Sequence, residues 1–194
     1  MISARGLGRR FGSKRVVRDL DLEVRAGELL LVTGPNGSGK STLLSLMAGL
    51  LAPTEGEIEV DLPRGGIGYL AHEPLVYKEL SALENLDLYG HLYHVTERRE
   101  TIGALLERFG LWEARHERVS SFSRGMQQRL ALCRVLLHGP ELLLLDEPYS
   151  GLDAFARTLV DDVLTEAAGS RTLVVASHEP EHVLPLATQA LALA

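Results

Sequence analysis

Hydrophobic and polar positions fall into three rhythms along the chain. Leu20-Asp-Leu-Glu-Val24 alternates with a period of two, which predicts a half-buried strand. Glu28 to Thr33 and Glu141 to Asp146 are nearly continuous apolar runs, the pattern of strands covered on both faces. Thr172–Ala176 reads the same way. Leu43, Leu44, Met47 and Leu50 recur at helical spacing and predict a helix from about Lys40 to Leu50. Two shorter strands are expected at Glu57–Val60 and Gly66–Ala71. Ser81 to Phe109 reads as helix: Ser81-Ala-Leu-Glu84 forms a capping box at its start, and Gly110 closes it. Further helices are expected at Ser123–His138, stopped by Gly139-Pro140, at Asp153–Ala168 and near Glu179–Leu186. A last strand falls near Gln189–Leu193. Strands alternating with helices predict an α/β fold on a mainly parallel sheet, with helices on both faces. The helical stretch from about 73 to 138 reads as a short subdomain inserted into one domain spanning 1–194.

The sharpest chemical signal follows the first buried run. Gly34-Pro35-Asn36-Gly37-Ser38-Gly39-Lys40-Ser41-Thr42 matches G-x-x-x-x-G-K-[ST], between a strand and a helix. Glycines there let backbone N–H groups turn inward around phosphate oxygens, and the helix N-terminus adds partial positive charge. Lys40 is expected to reach the β- and γ-phosphates and Ser41 to offer a hydroxyl to Mg²⁺. The second run ends in Asp146-Glu147-Pro148. A carboxylate there leaves the carboxyl edge of the sheet, where ligands bind in open α/β folds. Asp146 is expected in the Mg²⁺ shell, and Glu147 is expected to polarise the attacking water. Two motifs of this kind imply a nucleoside triphosphatase without saying which.

Composition narrows the partners. The formal charge of −6 argues against nucleic acid, and a single cysteine, Cys133, excludes an internal disulfide framework. No apolar run approaches the roughly 18 residues of a membrane span, and the N-terminal MISARGLGRR carries no apolar signal region. A chain that is not itself inserted in the membrane is expected. Cys133 is read as core packing. Asp161, Asp162 and Glu166 are read as a solvated helix face. His91 and His94 stand one turn apart and read as solvated rather than ligating.

A third motif decides the family. Ser123-Arg124-Gly125-Met126-Gln127-Gln128-Arg129 lies just ahead of a predicted helix, and Ser123 stands 23 residues before Asp146. Here the chain resembles the ATP-binding cassette (ABC) family, whose signature loop is Leu-Ser-Gly-Gly-Gln followed by Gln-Arg and a helix. The serine and second glycine are kept as Ser123 and Gly125; Phe122, Arg124 and Met126 depart. The resemblance extends to Ser150-Gly-Leu-Asp153 as the D-loop and His178 as the switch histidine. Phe11, 23 residues before Gly34, stands where an aromatic ring stacks on adenine. His72, in Tyr69-Leu-Ala-His72-Glu-Pro, takes the place of the usual Q-loop glutamine near Mg²⁺. The resemblance implies that two copies form a homodimer sandwiching two ATP, with Ser123 and Gly125 acting in trans. It also implies integral membrane permease subunits on separate chains, and a peripheral place on the cytoplasmic face of the inner membrane.

The segment Ala71–Tyr89 is similar to the ATP-binding subunits of cytochrome c maturation haem exporters, in which haem is handled by partner proteins. Other small exporters of drugs, lipids or polysaccharides share most of these features, as does a soluble ABC ATPase in cofactor assembly. A non-hydrolysing scaffold is disfavoured because Lys40, Ser41, Asp146, Glu147 and His178 are all in place.

Overall fold

The computed structural model describes residues 1–193. Three strands make an antiparallel sheet, β1 (Ile2–Phe11), β2 (Lys14–Val24) and β4 (Glu55–Val60), in the order β2-β1-β4. Five more make a parallel sheet in the order β5-β6-β7-β3-β8: β3 (Leu29–Thr33), β5 (Ile67–Leu70), β6 (Leu142–Asp146), β7 (Thr172–Ala176) and β8 (Gln189–Ala192).

The alternation of side chains divides the core into two halves. Leu29, Leu31, Leu143, Leu145, Leu173 and Val175 face one way, onto α2 (Ala82–Leu92), α3 (Arg98–Arg108), α4 (Arg124–Leu136) and α5 (Ala154–Ala167). Leu30, Val32, Leu142, Leu144, Val174 and Ala176 face the other way, onto α1 (Lys40–Met47) and the antiparallel sheet. The central strands are thus buried on both faces, as their unbroken apolar runs require. The second face, however, is covered mainly by a sheet rather than by helices.

Two expectations change in detail. The stretch Ser81–Phe109 is two helices. The chain turns between Leu92 and Arg98, with His94 and Glu97 both in the left-handed region at φ 55° and 50°. The turn brings Arg98 across Gly90, where any side chain would strike it, and Arg98 Nε donates to Asp87 Oδ1 at 2.7 Å. His94 therefore lies off the helix that carries His91. The segment near Glu179–Leu186 is a pair of 3₁₀ turns, Pro180–His182 and Leu184–Leu186, each opened by a proline in its first turn.

Parallel register places three chain exits side by side. Val32, Ala176 and Asp146 are partners across β3, β7 and β6. The glycine-rich loop, His178 and Glu147 therefore leave the same carboxyl edge.

Candidate functional site

The loop from Gly34 to Gly39 curls over the end of β3. Gly34 and Gly39 have φ of 146° and 103°, and a Cβ on Gly34 would lie 2.5 Å from Leu193 O. Only glycine fits so close a backbone approach. Lys40 opens α1 and folds back into the loop, donating from Nζ to Gly34 O at 2.8 Å, and its side chain is almost wholly buried.

Two carboxylates stand opposite. Asp146 is buried, and neither of its oxygens has a hydrogen-bond partner among the described residues. Burial, reinforced by the neighbouring Glu147 charge, pushes its carboxyl above the usual range, while Ser41, His72 and Lys40 work against the shift. A pair of unpartnered anionic oxygens beside a serine hydroxyl fits a hard divalent cation such as Mg²⁺. Glu147 holds a left-handed backbone at φ 51°, unusual outside glycine, with its N–H bonded to Ala176 O at 2.9 Å. One oxygen, Oε2, accepts from His178 Nδ1 at 2.6 Å and from the His178 backbone N–H at 3.3 Å. The other, Oε1, lies 3.4 Å from Lys40 Nζ and has no hydrogen-bond partner among the described residues.

Phe11, Asn36, Gly37, Gly39, Lys40, Ser41, Thr42, His72, Glu147 and His178 all line one cleft of about 680 Å³. Phe11 is half exposed at its rim, and the guanidinium of Arg9 covers the ring at 4.7 Å, bonded in turn to Ala52 O. That support joins residues 43 apart and has no local sequence signal.

Of the other predicted residues, Gly34, Pro35, Ser38 and Asp146 stand behind the cleft wall on the same loop and strand end, and Ser123, Gly125 and Asp153 lie on other elements. Ser123 and Gly125 sit at the start of α4. Ser123 is exposed and caps the helix by accepting from Met126 N–H at 3.2 Å. Its proton stays free to be donated, since a hydroxyl accepts and donates at once. Asp153 caps α5, accepting from Ala156 N–H at 2.8 Å. Arg124, from the same loop as Ser123, donates to Ser150 Oγ at 3.3 Å; Ser150 itself lines the cleft. The expected solvated acidic face is partly engaged instead: Asp161 accepts from the Tyr149 hydroxyl at 2.7 Å, and Glu166 holds Arg108 through two bonds of 2.9 and 3.0 Å.

A glycine-rich phosphate loop, a buried strand-end carboxylate and a glutamate poised between a lysine and a histidine define an ATPase cassette on an α/β sheet. Residues 17–150 match the family model described as ABC transporter, and the chain belongs to that family. It is similar to the uncharacterised ABC transporter ATP-binding protein YxlF of Bacillus subtilis (strain 168), 39% identical over 92% of this chain and 62% of that protein. It is also similar to the daunorubicin resistance ATP-binding protein DrrA3 of Streptomyces coeruleorubidus, 39% identical over 90% of this chain and 58% of that protein. The chain thus spans less than two thirds of either relative. Among solved structures, the ATP-binding cassette MJ0796, in a dimeric post-hydrolysis state bound to ADP and Pi, superposes with a TM-score of 0.89 at 26% identity, covering 100% of this chain and 94% of that one.

Proposed function

We propose that this chain hydrolyses ATP as one of two cassettes that power a membrane exporter. The observation that carries the reading is the Lys40–Glu147–His178 arrangement on the floor of the cleft. Lys40 Nζ lies 3.4 Å from Glu147 Oε1 and balances its charge. A triphosphate is the stronger anion and draws Lys40 toward itself, which leaves Oε1 free to accept a proton from water. His178 Nδ1 keeps Oε2 occupied and so fixes which oxygen faces the nucleophile. The N–H groups of residues 34–42 hold the phosphates, and Phe11 offers its free face to adenine. Asp146 and Ser41 would hold Mg²⁺, with His72 lining the cleft beside them. When bound, the cation offsets phosphate charge.

Ser123 and Gly125 do not line their own cleft; on this reading they serve a second copy, as the sandwich arrangement requires. The dimeric state of MJ0796 supports this reading. No helix among the described residues is long and apolar enough to cross a membrane; on this reading separate permease subunits form the translocation path. Leu50, Leu75 and Leu92 stand exposed around a groove floored by Ile67 and Tyr69, an apolar surface suited to such a subunit. The subdomain at 73–138 supplies one wall of it. On this reading the chain works at the cytoplasmic face of the inner membrane.

The cargo reading is haem for cytochrome c maturation, supported by the Ala71–Tyr89 segment, with haem bound by partner proteins rather than by this chain. A second reading, export of another small molecule, is favoured by the similarity to the daunorubicin resistance protein. The test is Glu147→Gln. ATP hydrolysis is expected to fall at least about 100-fold while ATP holds the variant as a dimer on size exclusion. A variant that stays monomeric with ATP would overturn the sandwich. The same variant, tagged and recovered from solubilised membranes, is expected to bring a polytopic partner and haem-handling chains. A polytopic partner without them supports the second reading, and no polytopic partner overturns both.

A further inference from the structure

A second rung lies behind the Glu147–His178 pair. Glu147 and Tyr149 leave β6 on one segment; His178 and His182 leave β7 on another. Glu147 meets His178 at 2.6 Å. Two residues further on, the buried Tyr149 ring stacks on the imidazole of His182, with centroids 4.8 Å apart. Asp161 of α5 closes this rung. Its Oδ1 accepts from the Tyr149 hydroxyl at 2.7 Å and lies 3.6 Å from His182 Nδ1. One turn earlier on the same helix face, Arg157 Nη1 donates to Glu179 Oε2 at 3.0 Å. Burial and the adjacent Asp161 raise the Tyr149 phenol well above its ordinary value, so its hydroxyl stays a donor.

We propose that Tyr149, Asp161 and His182 form a positioning unit for the catalytic pair, in which Asp161 ties the Glu147 segment to the His178 segment. None of the three lines the cleft. His178 is half exposed and rides on a segment without regular helix; its ring and its backbone N–H both reach the one oxygen Glu147 Oε2, and its Nε2 lies 3.7 Å from Glu179 Oε1, so the placement of the ring depends on how that segment is held. Two clasps from α5, at Glu179 and His182, bracket that segment on its far side. A displacement of about 1 Å at a general base or its partner is enough to cost a large factor in rate. The unit therefore acts on the chemical step and leaves phosphate binding alone. This inference rests on the ATPase reading given above.

Asp161→Ala and Asp161→Asn test it, each alone and combined with His178→Ala, in the full chain. Asp161→Ala is expected to lower kcat about 10-fold with ATP affinity within about twofold. Asp161→Asn, whose amide oxygen still accepts from Tyr149, is expected to keep most of the rate. In the His178→Ala background, Asp161→Ala is expected to add no further loss, because its effect passes through His178. The ring signals of His178 in a ¹H–¹⁵N spectrum are expected to move in Asp161→Ala and to stay in Asp161→Asn, a readout that needs no turnover. Equal losses in both backgrounds, loss of affinity in step with rate, or unmoved His178 signals would each overturn the proposal. Should His178→Ala alone hydrolyse ATP at the full rate, the role given to His178 fails, and the ATPase reading must be rebuilt.

Discussion

The two groups of residues proposed for the phosphate chemistry are built differently in one polypeptide. The near side, formed by Lys40, Asp146 and Glu147, is sunk into the sheet edge, and its charges answer one another across 3.4 Å. The far side, Ser123 and Gly125, lies at the surface of α4 with only a helix cap to occupy it. The near side carries strain and unpartnered buried oxygens, which persist because β3, β6 and β7 fix the surrounding backbone. The far side carries neither strain nor orphaned atoms. Tight preorganisation belongs where charge must be held out of water. A surface that has to meet and leave a second molecule is better kept solvated.

The largest expected effect comes from breaking the near side. Lys40→Ala is expected to weaken ATP binding by about 100-fold, measured with a fluorescent analogue. It also leaves Glu147 buried without its cation, so the melting temperature without nucleotide is expected to fall as well. Unchanged affinity would mean that Lys40 faces no phosphate. A smaller effect is expected at the far side. Ser123→Ala should slow hydrolysis about 10- to 100-fold while ATP binding to the monomer stays the same. The same change removes the cap of α4, at a cost of about 1 kcal/mol in stability. Loss of monomer binding instead would place Ser123 in its own cleft.

The smallest effect tests how α4 is anchored at its other end. His138 stacks on Tyr93 at 4.1 Å, pairs with Ile67 O at 3.3 Å, and has its Nδ1 buried without a partner. Burial lowers its pKa from the ordinary 6.5. The unfolded chain therefore takes up the proton first as pH falls. Stability is full above about 6.5 and declines below it, through the lowered folded value. His138→Gln is expected to flatten that decline, with a difference on the order of 2 °C in melting temperature between pH 7 and 5. Parallel slopes in both proteins would show that His138 takes up its proton at the same pH in the folded and unfolded chains.

Much of this was legible in the residues. β3, β6 and β7 announce themselves because both of their faces are apolar, and the phosphate loop because its chemistry demands a fixed spacing of glycines. β1 is harder to see: Ile2-Ser-Ala-Arg-Gly-Leu-Gly-Arg-Arg-Phe11 is interrupted by a left-handed Gly6 and by irregular register with β2. The break between α2 and α3 was illegible because neither His94 nor Glu97 is a turn residue. What marks the turn is Arg98 crossing Gly90, a tertiary contact. The strain at Glu147, the Arg9 guanidinium under Phe11 and the Tyr149–Asp161–His182 rung likewise join distant positions. Pattern and spacing describe neighbours along the chain, and these features exist only between neighbours in space.

Cys133 has a further use. The one thiol of this chain is wholly enclosed by α3 and α4, its nearest acceptor is Leu105 O at 3.7 Å, and burial raises its pKa far from the reactive range. To a maleimide the native protein is blank. A cysteine engineered at exposed Phe155 would take a dye or a spin label at one address, with no background to remove. The opening and closing of two cassettes could then be followed as a distance, in a protein whose own sulfur never joins the reaction.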